Sequence, residues 1–119
     1  MTESVTLWHN PRCSKSRQAL ALLEDRGVDV TVVRYLDTPP SVAELKDVLK
    51  QLGITPRELM RRKEAEYKAL ELDQDGLSDD ALIQAMVSHP KLIERPVAIS
   101  SQGAVIGRPP ENVLTVVAS

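Results

Sequence analysis

Trp8-His-Asn-Pro-Arg-Cys-Ser-Lys-Ser-Arg17 is the stretch on which the reading of this chain turns. Upstream, Val5-Thr6-Leu7-Trp8 alternates and is rich in β-formers, which predicts a short strand. Downstream, Ala19, Leu20, Leu22 and Leu23 recur at helical spacing as far as Gly27, which predicts a helix over residues 14–26. Cys13 therefore falls where the chain has turned and a helix begins. It is the single cysteine, and its segment holds His9, Arg12, Lys15 and Arg17 with no acid, in a chain of formal net charge −2. A helix N-terminus and nearby cations both favour the thiolate over the thiol, so this is a setting for a nucleophilic cysteine. With no second cysteine in the chain, any oxidised state of Cys13 has to be resolved by a thiol from another molecule.

Working outward, Val30-Thr-Val-Val-Arg-Tyr35 predicts a second strand. The first forty residues then read as β-α-β, a parallel pair with a right-handed crossover. The middle is helical. Ser41-Val-Ala-Glu44 has the form of a capping box and leads to Leu45, Val48, Leu49 and Leu52 before Gly53. Thr55-Pro56-Arg57-Glu58 is a second such box, with proline at the first helical position, where its missing N–H costs nothing. Ser78-Asp79-Asp80 opens a further helix carrying Leu82, Ile83 and Met86, closed by His89-Pro90. Val97-Ala-Ile99 and Ala104-Val-Ile106 then flank Ser100-Ser-Gln-Gly103, the pattern of an antiparallel hairpin. Pro109-Pro110-Glu111 predicts a last helix with Val113, Leu114 and Val117. The order is β-α-β, several helices, then β-β-α, an α/β fold.

Composition sets the bounds. A chain of 119 residues is expected to form one domain, and with no Phe and only 3% aromatics its core must be built from Leu, Val, Ile and Ala. A pI near 5.7 is not that of a general nucleic-acid binder. No apolar run approaches the ~20 residues that span a membrane, and Met-Thr-Glu-Ser does not begin a signal peptide. Together with the lone cysteine, these features lead us to expect a cytoplasmic protein with no membrane partner.

The order of elements and the residues themselves resemble the glutaredoxin-linked arsenate reductase family. The likeness begins at His9-Asn-Pro-Arg-Cys13. It continues through Thr38-Pro39-Pro40, Leu59-Met60-Arg61-Arg62, His89-Pro90, Leu92-Ile93-Glu94-Arg95-Pro96 and Gly107-Arg108-Pro109-Pro110, covering nearly the whole chain in order. The resemblance implies a thioredoxin-like fold with a helical insert, about residues 41–90, between the β-α-β half and the β-β-α half. It implies Cys13 as nucleophile and Arg61, Arg95 and Arg108 as ligands of an oxyanion, with Arg62 adjoining Arg61 as the alternative. It also implies arsenate or a related oxyanion as substrate, glutathione as co-substrate, glutaredoxin as partner and no bound cofactor. Thioredoxin-like folds carry a cis-proline just before the strand that faces the active thiol, which implies a cis Arg95–Pro96 bond.

The residues leave some roles open. His9 either influences the thiol by charge or hydrogen bonding, or only holds a strand end. The Ser16 hydroxyl either donates to a Cys13 thiolate or bonds its own backbone. Asn10 is expected to shape the loop. Arginine forks bind phosphate-like anions bidentately, and Arg95 and Arg108 each abut a proline that fixes the chain. A phosphatase-type loop needs Cys-x5-Arg, but position 19 is Ala. One cysteine and two distant histidines make no metal site, and no glycine-rich phosphate loop is present. Two other readings keep the fold. One is a glutathione-dependent thiol/disulfide oxidoreductase acting on another substrate. The other is a non-enzymatic, RNA-polymerase-binding regulator of the Spx type, whose usual Cys-x-x-Cys switch is lost here to Ser16.

Overall fold

A computed structural model describes residues 4–74 and 76–117, which form two compact units. The first joins residues 4–38 to residues 95–117. β1 (Ser4–Trp8), α1 (Ser14–Asp25) and β2 (Asp29–Val33) make the expected β-α-β, with the strands parallel and Trp8 level with Val33. After α1 the chain reverses at Gly27, whose φ of +71° lies in the left-handed region open to a residue without Cβ. β3 (Val97–Ser100) and β4 (Gly103–Ile106) form the hairpin, with Ser100 opposite Gly103 across a two-residue turn. β3 lies antiparallel against β1, so the sheet order is β2-β1-β3-β4. This is the α/β, thioredoxin-like arrangement.

The central strands carry the core. Val5 and Leu7 of β1 and Ala98 of β3 are buried with Ala19 and Leu23 of α1 and with Val113, Val116 and Val117. β2 stays at the edge, and Val32 on it is 42% exposed.

The last segment corrects an expectation. Pro110–Val116 is a 3₁₀ helix, not an α-helix. With three residues per turn, Pro110, Val113 and Val116 share one face, and these are its buried residues. Val113, Thr115 and Val116 are β-branched and lose rotamer freedom in an α-helix, and the Thr115 hydroxyl donates to the Asn112 carbonyl at 2.7 Å.

The second unit, residues 39–94, is the helical insert. It contains α2 (Val42–Leu52), α3 (Pro56–Leu59), α4 (Ala65–Ala69), α5 (Asp79–Ser88) and a 3₁₀ turn at Pro90–Leu92. Both capping boxes close: Ser41 accepts from the Glu44 N–H and Thr55 from the Glu58 N–H, while each glutamate reaches back to the cap N–H. α5 begins at Ser78, whose hydroxyl accepts from the Ala81 N–H, and packs against α2 and α3. Leu45, Val48, Leu49, Leu59, Leu82, Ile83 and Met86 are buried. α4 has no counterpart among the expected elements. Among the described residues no helix is long and apolar enough to cross a membrane.

Candidate active site

The loop between β1 and α1 is held almost entirely by its own backbone and by Ser16. The His9 N–H donates to the Val33 carbonyl at 2.8 Å, prolonging the β1–β2 pairing by one residue. Asn10 then makes three bonds. Its side-chain oxygen accepts from the Arg12 N–H, its carbonyl accepts from the Cys13 N–H, and its own N–H donates to Ser16 Oγ, each at 3.0 Å. Asn10 thus ties Arg12, Cys13 and Ser16 into one loop. Ser16 is fully buried and its Oγ lies 2.6 Å from His9 Nδ1. The hydroxyl is therefore engaged by His9 and by the Asn10 N–H, which is neither of the two roles weighed from the sequence.

Cys13 is the residue that caps α1, in extended conformation and partly exposed. Burial disfavours its thiolate. The Ser16 N–H, the Arg95 charge, the Lys15 N–H and a hydrogen bond from the Arg95 side chain together outweigh that, and hold the thiol pKa below its ordinary value. The Cys13 side chain makes no N-cap hydrogen bond. Of the two sources expected, the helix start contributes through its N–H groups, while the cation is Arg95, distant in sequence, and not the loop's own Arg12, Lys15 or Arg17 side chains. Arg17 instead donates from Nη1 to the Pro11 carbonyl at 2.9 Å, bracing the loop. His9 is pushed below its usual pKa by burial first, then by the charges of Arg34 and Arg17, so its neutral form is favoured.

Arg95 reaches Cys13 from the segment that leads into β3. The Arg95–Pro96 peptide is cis, as the resemblance implied; Arg108–Pro109 is cis as well, which nothing in the sequence signalled. Arg108 leaves the end of β4, and its Nη1 donates to the Arg95 carbonyl at 3.2 Å. Between the two lies Gly107, whose N–H donates to the Pro96 carbonyl at 2.8 Å. A Cβ on Gly107 would lie 2.7 Å from Pro96 Cγ and 2.9 Å from Val113 Cγ1, so only glycine permits this approach. Cys13, Arg95, Pro96 and Arg108 are therefore brought together within the first unit.

Arg61 belongs to the second unit. Its backbone N–H donates to the Leu92 carbonyl at 2.7 Å, and its guanidinium pairs with Glu64 and, at 3.9 Å, with Glu94. Arg62 beside it is exposed. Among the described residues no three His, Cys, Asp or Glu side chains gather where a metal ion could be held.

The stretch that contains this loop, both cis-prolines and all three arginines, residues 8–116, matches the ArsC family. The chain belongs to the ArsC family. Within it, similarity to the uncharacterized protein YfgD of Escherichia coli (strain K12) reaches 56% identity, over 98% of this chain and 99% of that one. An arsenate reductase of Neisseria meningitidis (strain Z2491) is 51% identical over 92% of this chain and 94% of its own length. The solved structure of an arsenate reductase from Vibrio cholerae matches with a TM-score of 0.95 at 52% identity, covering 98% of this chain and all of that one. An ArsC-family fold with the Cys13 thiol at a helix start is thus established on the chain's own residues and on its relatives.

Proposed function

We propose that this chain is an arsenate reductase that uses glutathione and glutaredoxin, with Cys13 as nucleophile and Arg61, Arg95 and Arg108 as ligands of the oxyanion. The observation that carries the reading is a Cys13 thiol of lowered pKa with Arg95 beside it, in a chain about half identical to proteins named arsenate reductase. A cytoplasmic setting suits a mechanism that draws on glutathione.

Arsenate is a tetrahedral anion, and a thiolate attacking it meets like charge. Arg95, hydrogen-bonded to the sulfur, can neutralise the oxyanion and guide it to the thiolate. Cys13 then forms an S–As bond and one arsenate oxygen leaves as water. Glutathione attacks the adduct and displaces a second oxygen as water. Glutaredoxin's thiolate then attacks the arsenic-bound glutathione sulfur. That S–As bond breaks with its electron pair left on arsenic, which becomes trivalent, and the two thiols leave as a mixed disulfide. Water hydrolyses the remaining S–As bond, releasing arsenite and returning Cys13 to its thiol. A single cysteine suffices for this scheme because oxidation is passed to external thiols.

The test is arsenate-dependent NADPH consumption in an assay coupled through glutathione reductase, with glutathione and glutaredoxin supplied. Wild type should turn over, and Cys13→Ser should not. Omitting glutathione and glutaredoxin should abolish sustained turnover. Repeated turnover with a thiol-free reductant would overturn the scheme.

A further inference from the structure

The loop that presents Cys13 also forms one wall of a cavity of about 280 Å³. Its lining is His9 and residues 10–12 on one side, and Arg34, Leu36 and Asp37 from the turn after β2 on the other. That turn is closed by two backbone bonds, from the N–H groups of Asp37 and Thr38 to the Arg34 carbonyl, each at 2.9 Å. The charges of the lining are therefore displayed from fixed backbone on both sides. Among the described residues the side chains of Arg12, Arg34 and Asp37 enter no ion pair with one another or with any other group. His9 contributes a wall whose neutral form is favoured, by burial first and then by the Arg34 and Arg17 charges.

Two guanidiniums and one carboxylate, held apart around a hollow of this size, do not suit a simple anion, since Asp37 would repel it. They suit a group that carries a carboxylate and an ammonium on neighbouring atoms. Such a group is the α-amino-acid head of a small peptide thiol. The chemistry at Cys13 calls for an external thiol, and the cavity shares the Cys13 loop.

We propose that this cavity is the docking subsite for the α-amino-acid head of the thiol co-substrate, glutathione or a thiol of the same chemistry. Arg34, aided by Arg12, takes the carboxylate and Asp37 takes the ammonium. The proposal rests on the reading that Cys13 works with an external thiol. It adds where that thiol is recognised and by which residues.

The experiment uses thiol–disulfide exchange without arsenate. The Cys13 thiolate attacks one sulfur of oxidised glutathione. The S–S bond breaks, a Cys13–glutathione mixed disulfide forms, and one glutathione leaves as thiolate. The same reaction with bis(2-hydroxyethyl) disulfide, which has no charged head, serves as reference. The ratio of the two rates, followed by mass spectrometry, cancels any change in the thiol itself. Arg34→Gln should lower the ratio by up to about fivefold, the upper end of what one ion pair contributes at an exposed site. Asp37→Asn should lower it too, whereas Arg26→Gln should leave it alone. A ratio unmoved by Arg34→Gln would overturn the proposal, as would full activity in Arg34→Lys, which keeps the charge without the fork. A ratio raised by Asp37→Asn would also overturn it, because that is the response to a plain anion. Arsenate takes no part in this readout, so failure of arsenate reduction and failure of the subsite are separately visible.

Discussion

Arg95 hydrogen-bonds the sulfur of Cys13 through its side chain and sets its guanidinium charge beside it. An opposite charge at this range favours the ionised form. The rate of alkylation of wild type by iodoacetamide should therefore rise with a midpoint below the ~8.5 of an ordinary thiol. Arg95→Ala should move that midpoint up, toward the range of an ordinary thiol. Arg12→Ala should leave it nearly in place, because the side-chain charge of Arg12 is not what lowers the thiol's pKa. A wild-type midpoint at or above ~8.5 contradicts the assignment.

The contrast between Arg95 and Arg12 also marks what can be read in this sequence and what cannot. The β-α-β start, the two capping boxes and the hairpin rest on patterns among near neighbours in the chain, and each appears, although β2 runs Asp29–Val33 and stops short of the expected Arg34 and Tyr35. The placement of Cys13 at a helix start was legible for the same reason. Its electrostatic partner was not, because nearness along the chain suggested Arg12, Lys15 and Arg17, and side-chain direction sends Arg17 to the Pro11 carbonyl instead. Ser16 lay in the right turn, but its hydroxyl faces His9, a choice made by packing. α4 gave no signal, since Glu64 makes no side-chain cap and only Tyr67 is buried. The last helix carried the right apolar residues at a period of three that a 3.6-residue reading passed over.

Ser16 links the loop to His9, and both ends of that link have measurable consequences. Ser16→Ala would leave the Asn10 N–H and His9 Nδ1 without their partner in a buried place. We expect a loss of about 1–3 kcal/mol in urea denaturation, the cost of an unsatisfied buried polar group. The pH dependence follows from His9. Its folded pKa is lowered from 6.5, chiefly by burial and then by Arg34 and Arg17, so the unfolded chain binds a proton more readily. This contribution is fully present above about pH 6.5 and is lost as pH falls from there through the folded value. The urea midpoint should therefore drop between about pH 7 and 5, before most carboxylates titrate. A midpoint flat across that window rules His9 out as its cause.

Gly107 tests whether packing at Pro96 governs the thiol. A methyl group there meets the Pro96 ring at 2.7 Å and Val113 at 2.9 Å, and the ring has no flexible end to move aside. Gly107→Ala should cost about 1–3 kcal/mol, as overpacking does. It should also raise the alkylation midpoint, since the displaced Pro96 carries Arg95 with it. Gly27→Ala is the control. Nothing lies within 4 Å of its added Cβ, and only the φ of +71° is unfavourable, so about 1 kcal/mol should be lost with no change at Cys13. Equal effects of the two substitutions on the thiol would show that general loosening, and not the position of Pro96, is being measured.

Arg61 and Arg62 differ in what already holds them. Arg61 is half-buried and paired with Glu64 and Glu94, whereas Arg62 is exposed. If Arg61 is the oxyanion ligand, the carboxylates hold its fork ready and compete with the incoming anion for it. Arg61→Ala should then weaken arsenate binding by roughly ten- to hundredfold, the loss of one charge-assisted hydrogen bond of ~1.5–3 kcal/mol. Arg62→Ala should change it by less than about twofold, as expected for a solvated surface charge. Glu64→Gln discriminates further. It removes the nearer competitor while keeping the shape of the side chain, so binding should tighten several-fold. Calorimetric titration of the Cys13→Ser variant with arsenate reads all three without turnover. Should Arg62→Ala and not Arg61→Ala abolish binding, the role passes to Arg62. Weaker binding in Glu64→Gln would mean that the pair with Glu64 orients Arg61 and does not compete for it.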